Sequence, residues 1–319
     1  MGKWRGRAVR ATAGRRDNKF VEAFADVLGG GRLRLLDIGA AEQIQPRWRR
    51  VAQCLDYVGV EPDARSRMEL LADRQGTATY SILETALNDG RSSHIYLNLC
   101  RKATVSSSLS PSTQWLQRFP DPDRFDIVET VEIRAASLDF LSVPNIDFMK
   151  LDVQGGELSI LRGGTEVLSN CIGVEVEVEF APIYQDQPLF GEVCEYLTGC
   201  GLPFLDFVSI NRWGRQRFDG YGQAVFGDAL FMRTPEDFIA SGPTGEQRAR
   251  YVAVCVLYGR FDLVEKLGEL YGPTLIDERS AIAVGRLQRR FEGARKLTSI
   301  GQRVLAHRIG PDVGLHLFY

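Results

Sequence analysis

The sequence predicts an α/β fold with a doubly wound, mostly parallel sheet, a terminal antiparallel strand and a C-terminal helical extension. Two observations lead to this prediction. Short apolar segments such as LRLLDI (Leu33–Ile38) alternate with segments of helical periodicity, as in parallel strands joined by crossover helices. After about residue 234 the strand patterns stop, and only helical patterns remain.

The individual elements follow from periodicity and from the glycine, proline and acidic residues that end each segment. Strands are predicted at Leu33–Ile38, Asp56–Pro62, Thr77–Leu83, Ser93–Leu99, Ile127–Arg134, Asn145–Val153 and Ile172–Phe180, with a terminal antiparallel pair at residues 202–210 and 224–233. Helices are predicted at Phe20–Leu28, Trp48–Cys54, Ala64–Leu71, Glu157–Leu168 and Leu189–Leu197, and several short ones between Gln247 and Gln302. The Ser- and Pro-rich segment Arg101–Arg124 is predicted to be a long loop.

The chain is predicted to have three parts. Residues 1–19 contain seven Lys and Arg residues against one acid, which predicts a disordered basic arm or a segment that contacts phosphate or anionic lipid. Residues 20–237 form the sheet domain. Residues 238–319 form the helical extension, which either covers the sheet or mediates homodimerisation.

Composition excludes several classes of protein. The net charge of -2 is no footprint of a nucleic-acid-binding protein. No apolar run approaches the roughly 18 residues of a membrane span, and no apolar segment follows the basic arm as a secretory signal would require. The six cysteines form no CxxC pair, which indicates reduced thiols and a cytoplasmic location.

The first two strands end in residues suited to a nucleoside ligand. The segment LLDIGAAEQ (Leu35–Gln43) is a strand followed by a glycine turn, but it lacks the GxGxxG pattern of pyrophosphate binders. The next strand ends in Glu61, where a carboxylate can accept hydrogen bonds from both ribose hydroxyls. We therefore expect an adenosyl ligand. The alternatives are turn chemistry alone at Asp37 and Gly39, and an exposed strand-end acid at Glu61.

Acidic residues also end the later strands. Asp152 lies at the carboxyl end of its strand, and Glu177 and Glu179 lie near the end of the next one. Alternation along VEVEVEF places Glu175, Glu177 and Glu179 on one face of the strand. In a central strand such acids should face a cleft, because unpaired buried carboxylates are costly. The alternative is an edge strand with a solvated acidic face.

These segments resemble a known family. LLDIGAAEQ and VGVEP resemble the cofactor loop and ribose acid of class I, Rossmann-like methyltransferases that use S-adenosylmethionine. From Leu33 to Arg233 the chain is similar to the FkbM family through ETALNDG, SLDFL, IDFMKLDVQGGELSILRGG, VEVEFAPIYQDQPLF and GDALFMR. The resemblance implies methyl transfer from S-adenosylmethionine to a hydroxyl of a sugar or polyketide-like acceptor. It places the methionine part of the donor at Asp37, Gly39 and Ala40, its ribose at Glu61, and its adenine at Ala86 and Leu87.

The remaining candidates concern the acceptor. We expect Asp152 to act as general base or to position the acceptor, with Glu177 and Lys150 as catalytic partners; Lys150 shares the face of Asp152 and balances its charge. For Asp152 the alternatives are a divalent metal site shared with Glu177, which is less favoured, and a cap on the next helix. Glu157 is expected to interact with the dipole of that helix. Glu179, Tyr184, Gln187 and His94 are expected to line the acceptor pocket, although His94 could instead be a structural histidine.

Two other functions compete with this interpretation. A nicotinamide-dependent oxidoreductase could use a similar sheet, although the missing GxGxxG motif argues against it. A non-catalytic, methyltransferase-like binding protein is the other alternative. The expected partner is a small-molecule or glycan acceptor, for example in a polysaccharide or glycolipid, and no nucleic acid is expected.

Overall fold

A computed structural model describes residues 18–40, 44–67, 76–141, 143, 145–215, 222–272 and 275–309. Most of the predicted basic arm, the loop residues 41–43 and the end of the predicted helix Ala64–Leu71 lie outside these ranges. The chain divides into two compact units. One comprises residues 34–44 and 55–234, and the other the preceding residues, 45–54 and the chain from 235 onward. The domain boundaries at residues 20 and 237 stay a prediction.

The strands are β1 Leu33–Ile38, β2 Leu55–Val60, β3 Thr79–Leu83, β4 Ala86–Asn88, β5 His94–Cys100, β6 Ile127–Ser137, β7 Phe148–Leu151, β8 Gly173–Glu179, β9 Phe204–Phe207, β10 Asn211–Trp213 and β11 Gln223–Met232. The main sheet has the order β10-β11-β8-β7-β1-β2-β3, and β9 also pairs with β11. Pairs β1–β7, β7–β8 and β2–β3 are parallel, whereas β11 is antiparallel to β8, β9 and β10. This topology confirms the predicted mostly parallel sheet with terminal antiparallel pairing.

The helices are α1 at residues 18–27, α2 Pro46–Arg49, α3 with residues 64–67 described, α4 Thr113–Leu116, α5 Glu157–Arg162, α6 Thr165–Asn170, α7 Phe190–Gly199, α8 Pro235–Ala240, α9 Gly245–Leu257, α10 Phe261–Tyr271 and α11 Glu278–Ile309. The single helix predicted at Glu157–Leu168 is wrong, because α5 and α6 are separated by Gly163 and Gly164. A Cβ at Gly163 would lie 2.3 Å from the Asn88 carbonyl oxygen, so the chain breaks where β4 passes closely.

Alternation along β8 separates two environments. Val174, Val176 and Val178 pack into the main hydrophobic core with residues of α5 and α7. The glutamates of β8 occupy the other face and are also buried. Because β8 lies between β7 and β11, the predicted alternative of a solvated edge strand is wrong.

The segment Arg101–Arg124 is more ordered than the predicted loop. It contains a short helical turn at Ala103–Val105 and helix α4. Trp115 and Phe119 on and after α4 join a second apolar cluster with Tyr184 and Val225. β5 and β6 pair in a separate three-stranded sheet with β4, a short strand that the sequence did not predict.

The other unit is helical in the part that the structure describes. Ser280 Oγ donates a 2.8 Å hydrogen bond to the Asp26 carbonyl, and Arg250 Nε donates one to the Arg32 carbonyl at 3.0 Å. At its end, one long helix, α11, occupies a region where several short helices were predicted. Among the described residues, no helix is both long and apolar enough to cross a membrane.

Candidate active site

A row of polar side chains crosses the main sheet. Asp37 on β1 lies opposite Lys150 on β7, which lies opposite Glu175 on β8. Tyr57 on β2 extends the row, because its hydroxyl donates a 2.9 Å hydrogen bond to Asp37 Oδ2. All four side chains are buried. The sheet therefore contains a charged layer, and its charges must compensate one another.

Lys150 provides that compensation. Its Nζ lies 3.7 Å from Asp37 Oδ1 and 3.3 Å from Asp152 Oδ2, with only 5% of the residue exposed. Burial alone would lower the pKa of Lys150, but the carboxylates of Asp152 and Asp37 outweigh burial and raise that pKa. Lys150 is therefore a fixed cation shared by two carboxylates.

Asp152 follows β7 directly and belongs to a pair of acids. The amide Nε2 of Gln154 donates to Asp152 Oδ1 at 2.9 Å and to Glu177 Oε2 at 2.7 Å. Burial opposes ionisation of Asp152, but Lys150 and the hydrogen bond from Gln154 lower its pKa below the usual value. Burial and the neighbouring Asp152 raise the pKa of Glu177 well above its usual value. Asp152 is thus the more acidic carboxyl group of the pair.

Glu157 closes the turn between β7 and α5. Its carboxylate accepts hydrogen bonds from the backbone N–H groups of Val153 at 2.7 Å and Gly155 at 2.9 Å. Burial raises the pKa of Glu157 to about 7. Glu157 is also the first residue of α5, as the dipole interpretation requires. Asp152 does not cap α5. Gly156 occupies the N-cap position, and the helix has no side-chain capping hydrogen bond there.

Three buried glutamates lie close together. One carboxylate oxygen each from Glu157, Glu177 and Glu179 lies within 4.8 Å of the others. Burial and the neighbouring carboxylate of Glu157 raise the pKa of Glu179 well above its usual value. Three carboxylates at this distance could take a cation or retain protons. This set differs from the predicted metal alternative, which paired Asp152 with Glu177.

A cavity of about 110 Å³ opens at the carboxyl ends of β1 and β2. Its lining includes the predicted donor residues Gly39, Ala86 and Leu87, together with Val60, Ile95, Leu97, Ser108 and Gly156. Ala40 is buried next to Gly39, and residues 41–43 beyond it are outside the described ranges. The volume is below the roughly 300 Å³ at which small-molecule sites begin, so a nucleoside requires this region to widen. Cavities of about 1030 and 530 Å³ in the other unit contain no predicted site residue.

Gly39 lies between this cavity and Asp152. Its φ is +77°, and a Cβ there would lie 1.8 Å from the Asp152 carbonyl oxygen. The absence of a side chain at Gly39 therefore allows the carboxyl ends of β1 and β7 to touch. It also leaves room for a ligand to approach the backbone. This contact brings the backbone of Asp152 directly beside the donor cavity.

Glu61 follows β2 and is buried, so the alternative of an exposed strand-end acid is wrong. Its Oε1 accepts a 2.7 Å hydrogen bond from the backbone N–H of Asp63. Burial raises the pKa of Glu61 to about 7, although the hydrogen bond from Asp63 opposes this. Burial likewise raises the pKa of Asp37, against the attraction of Lys150. Asp37 Oδ1 has no hydrogen-bond partner among the described residues.

The predicted acceptor residues separate into two groups. Tyr184 and Gln187 are buried beside Gly155, and the Tyr184 hydroxyl contacts Gln154 Oε1 at 3.2 Å. His94 is exposed, and its Nδ1 contacts Ser93 Oγ at 3.0 Å. Because Ile95 and Leu97 of β5 line the donor cavity, alternation directs His94 elsewhere. The structure does not bring His94 to the acids, and its role in the acceptor pocket stays a prediction without support from geometry.

The sequence predicted no role for Gln154, and for the serine-rich segment it predicted only a loop. Ser107 Oγ donates a 2.7 Å hydrogen bond to the Gln154 carbonyl, and Ser108 lines the donor cavity. The signal in the sequence was the Gln154-Gly155-Gly156 turn, whose conformation cannot be inferred from residue types alone. Gln154 has a φ of +62°, which is uncommon for a residue other than glycine.

The order of the main sheet, with β11 inserted antiparallel beside β8, defines a Rossmann-like fold of the class I methyltransferase type. A family model described as the methyltransferase FkbM domain matches residues 37–203, which is more than half of the chain. The chain therefore belongs to the FkbM methyltransferase family. No curated protein sequence matched it.

Several solved structures are similar at low identity. The FkbM methyltransferase from Methylobacillus flagellatus KT is 12% identical with a TM-score of 0.37, and the match covers 63% of this chain and 43% of that protein. Magnesium protoporphyrin IX methyltransferase from Synechocystis PCC 6803, with bound SAM, is 10% identical with a TM-score of 0.35 and coverages of 68% and 79%. The N-terminal domain of EvdMO1, with SAH bound, is 12% identical with a TM-score of 0.32 and the same coverages.

Proposed function

We propose that the protein transfers a methyl group from S-adenosylmethionine to a hydroxyl oxygen of a glycan or polyketide-like acceptor. The main support is the position of Asp152, whose carbonyl touches Gly39 at the donor cavity. Its side chain is kept ionised by Lys150 and Gln154. The backbone of the proposed proton acceptor thus lies beside the cavity expected to hold the methyl donor.

The residues around the cavity suit this donor. Glu61 offers a buried carboxylate for the ribose hydroxyls, and Ala86 and Leu87 offer apolar surface for the adenine. We assign the methionine part to Asp37 and to the turn at Gly39 and Ala40, of which Gly39 lines the cavity.

S-adenosylmethionine supplies an electrophilic methyl group, so the protein must mainly orient the acceptor oxygen and remove its proton. The Asp152 carboxylate accepts a hydrogen bond from the acceptor hydroxyl and so fixes the direction of an oxygen lone pair. As the new C–O bond forms, the S–CH3 bond breaks, and its electron pair stays on the sulfur of the departing S-adenosylhomocysteine. The acceptor oxygen becomes strongly acidic, and its proton passes to Asp152. A carboxylate with a lowered pKa suffices, because a protonated ether gives up its proton to a weak base.

Lys150 and Glu177 support this role in different ways. Lys150 keeps Asp152 anionic by direct ion pairing at 3.3 Å. Glu177 shares the Gln154 amide with Asp152, and its pKa lies well above the usual value. The acceptor pocket would then extend toward Glu179, Tyr184 and Gln187. Homodimerisation through the helical extension and a cytoplasmic location belong to the same proposal.

Incubation with donor labelled in the methyl carbon, together with a glycan and lipid extract of the native host, tests this function. We expect label in an alkali-stable methyl ether of an extract component, and calorimetric binding of S-adenosylmethionine to the protein alone. A matched incubation with Asp152→Asn protein controls for contaminating activity. Binding of a nicotinamide dinucleotide without binding of S-adenosylmethionine would instead support the oxidoreductase alternative.

A further inference from the structure

Gln154 combines an unusual backbone conformation with a central position among the acids. Its φ of +62° is followed by a φ of +99° at Gly155. Left-handed conformations cost energy in residues other than glycine, and they persist where neighbouring groups hold them in place. Here the buried Ser107 hydroxyl donates to the Gln154 carbonyl at 2.7 Å and fixes that peptide.

The side-chain amide uses both of its ends. Its NH₂ group donates to Asp152 Oδ1 at 2.9 Å and to Glu177 Oε2 at 2.7 Å. Its carbonyl faces the Tyr184 hydroxyl at 3.2 Å, while that hydroxyl also donates to the Val105 carbonyl at 2.9 Å. Carboxylates accept hydrogen bonds and a hydroxyl can donate, so this orientation of the amide is the one that satisfies its neighbours.

We propose that Gln154 is a positioning residue, which holds the Asp152 and Glu177 carboxyl groups at a fixed separation and keeps Asp152 the ionised member of the pair. This inference rests on the proposed function of Asp152. Two carboxyl groups that share a site repel each other when ionised, and the Gln154 amide offsets this repulsion by donating a hydrogen bond to each of them. The left-handed backbone points the amide back toward the residue two positions earlier.

The electrostatic surroundings make this arrangement sensitive to one added charge. The titratable groups around Asp152 and Lys150 come from five elements: Asp37 on β1, Lys150 on β7, Glu157 on α5, Glu175, Glu177 and Glu179 on β8, and Asp228 on β11. Lys150 is the one cation in that set, against seven carboxyl groups when Asp152 is included. A carboxylate at position 154 would remove two donor bonds and add a repulsive neighbour to both acids.

A pH titration of carboxyl ¹³C shifts in the full-length protein, labelled in Asp and Glu, tests the proposal without any ligand. Asp152→Asn and Glu177→Gln proteins assign the two resonances. In Gln154→Glu we expect the Asp152 midpoint to move to higher pH by about 1 or more, as for carboxylates that share a site. Gln185→Glu adds the same charge at an exposed neighbouring position and should leave that midpoint unchanged.

Gln154→Gly provides a second variant that accepts a left-handed φ without strain and lacks the amide. It should fold, and its Asp152 midpoint should also rise. Where methyl transfer is observed, both variants should lower kcat by about 10-fold or more and move the acidic limb of the rate profile to higher pH, with S-adenosylmethionine affinity retained.

The proposal is overturned when Gln154→Glu or Gln154→Gly keeps the wild-type midpoint of Asp152. Failure of the methyltransferase proposal looks different, because the wild-type protein would then neither bind S-adenosylmethionine nor transfer its methyl group. The resonance midpoints are measured without donor or acceptor, so the two results are read separately.

Discussion

Asp37 and Lys150 face each other on the adjacent parallel strands β1 and β7, with Nζ 3.7 Å from Oδ1. The same ammonium group lies 3.3 Å from Asp152. One buried cation therefore joins the strand that leads into the donor turn to the residue proposed to take the acceptor proton. This link makes the stability of the sheet and the ionisation of the site depend on the same side chain.

Replacing Lys150 by methionine should lower the free energy of unfolding by about 3–5 kcal/mol, because it leaves the buried Asp37 and the partly buried Asp152 without their cation. Denaturant unfolding at neutral pH measures this loss. Lys266→Met is the matched control, since its ion pair with Glu269 is exposed and should contribute less than about 1 kcal/mol. Equal losses in the two variants would contradict the role given to Lys150.

Asp152→Asn should reduce the rate of methyl transfer by about 10²–10⁴-fold, because an amide cannot accept the proton released as the ether forms. Donor affinity, measured by calorimetry, should stay at the wild-type value. Asp126→Asn removes an exposed carboxylate paired with Arg101 and should leave the rate unchanged. A rate preserved in Asp152→Asn would refute the assignment of Asp152 as the base.

Most of the sheet could be predicted from the sequence, because each strand carries its own signal. Leu33–Ile38 matches β1 in both bounds, since an apolar run ended by glycine defines a buried strand locally. β4 was missed because three residues carry too little periodicity. The break between α5 and α6 was missed because its cause, the close approach of Asn88 to Gly163, is a tertiary contact.

The candidate site shows the same limit. The position of Asp152 after a strand predicted that it would reach the carboxyl edge of the sheet. The two hydrogen bonds from the Gln154 amide to Asp152 and Glu177 could not be predicted, because they depend on a left-handed backbone and on a glutamate 23 residues further along the chain. The short helical elements within the predicted loop Arg101–Arg124 were missed for a similar reason, since Trp115 of α4 packs in a cluster with Tyr184, which is distant in sequence.

Glu61 should make stability depend on pH. Its pKa rises from 4.5 to about 7 on folding because of burial, so the folded protein binds this proton more tightly than the unfolded chain does. Glu61 therefore contributes about 3 kcal/mol to the free energy of unfolding at low pH. This contribution is lost as the pH increases from about 4.5 to 7. Unfolding free energies of Glu61→Gln across this range should lack that part of the decrease.

Glu84→Gln is the control for this measurement, because Glu84 is largely exposed and pairs with Arg67. It should reproduce the wild-type dependence on pH. If Glu61→Gln and wild-type protein lose stability in parallel between these pH values, Glu61 does not titrate as its burial requires.

Removal of divalent cations by dialysis against a chelator should leave methyl transfer unchanged. Burial and neighbouring carboxylates raise the pKa values of Glu177 and Glu179 well above the usual value, which opposes the deprotonated form that a metal ligand requires. Lys150 already supplies a cation beside Asp152. Activity lost on chelation and restored by Mg²⁺ or Mn²⁺ would favour the metal alternative, and transfer rates before and after dialysis decide between them.

Gly39→Ala should be far more destabilising than its backbone conformation alone explains. A Cβ at this position would lie 1.8 Å from the Asp152 carbonyl oxygen, so β1 and β7 would have to separate at their carboxyl ends. Gly76→Ala is the matched control, because Gly76 has a similar φ of +69° and a Cβ added there would meet no atom of the described residues within 4 Å. Denaturant unfolding measures the loss in the free energy of unfolding. We expect a loss of about 1–2 kcal/mol for Gly76→Ala from the left-handed φ, and a loss of more than about 4 kcal/mol for Gly39→Ala. Similar losses at the two positions would mean that the strand ends do not touch as described, and the contact between the donor cavity and Asp152 would lose its support.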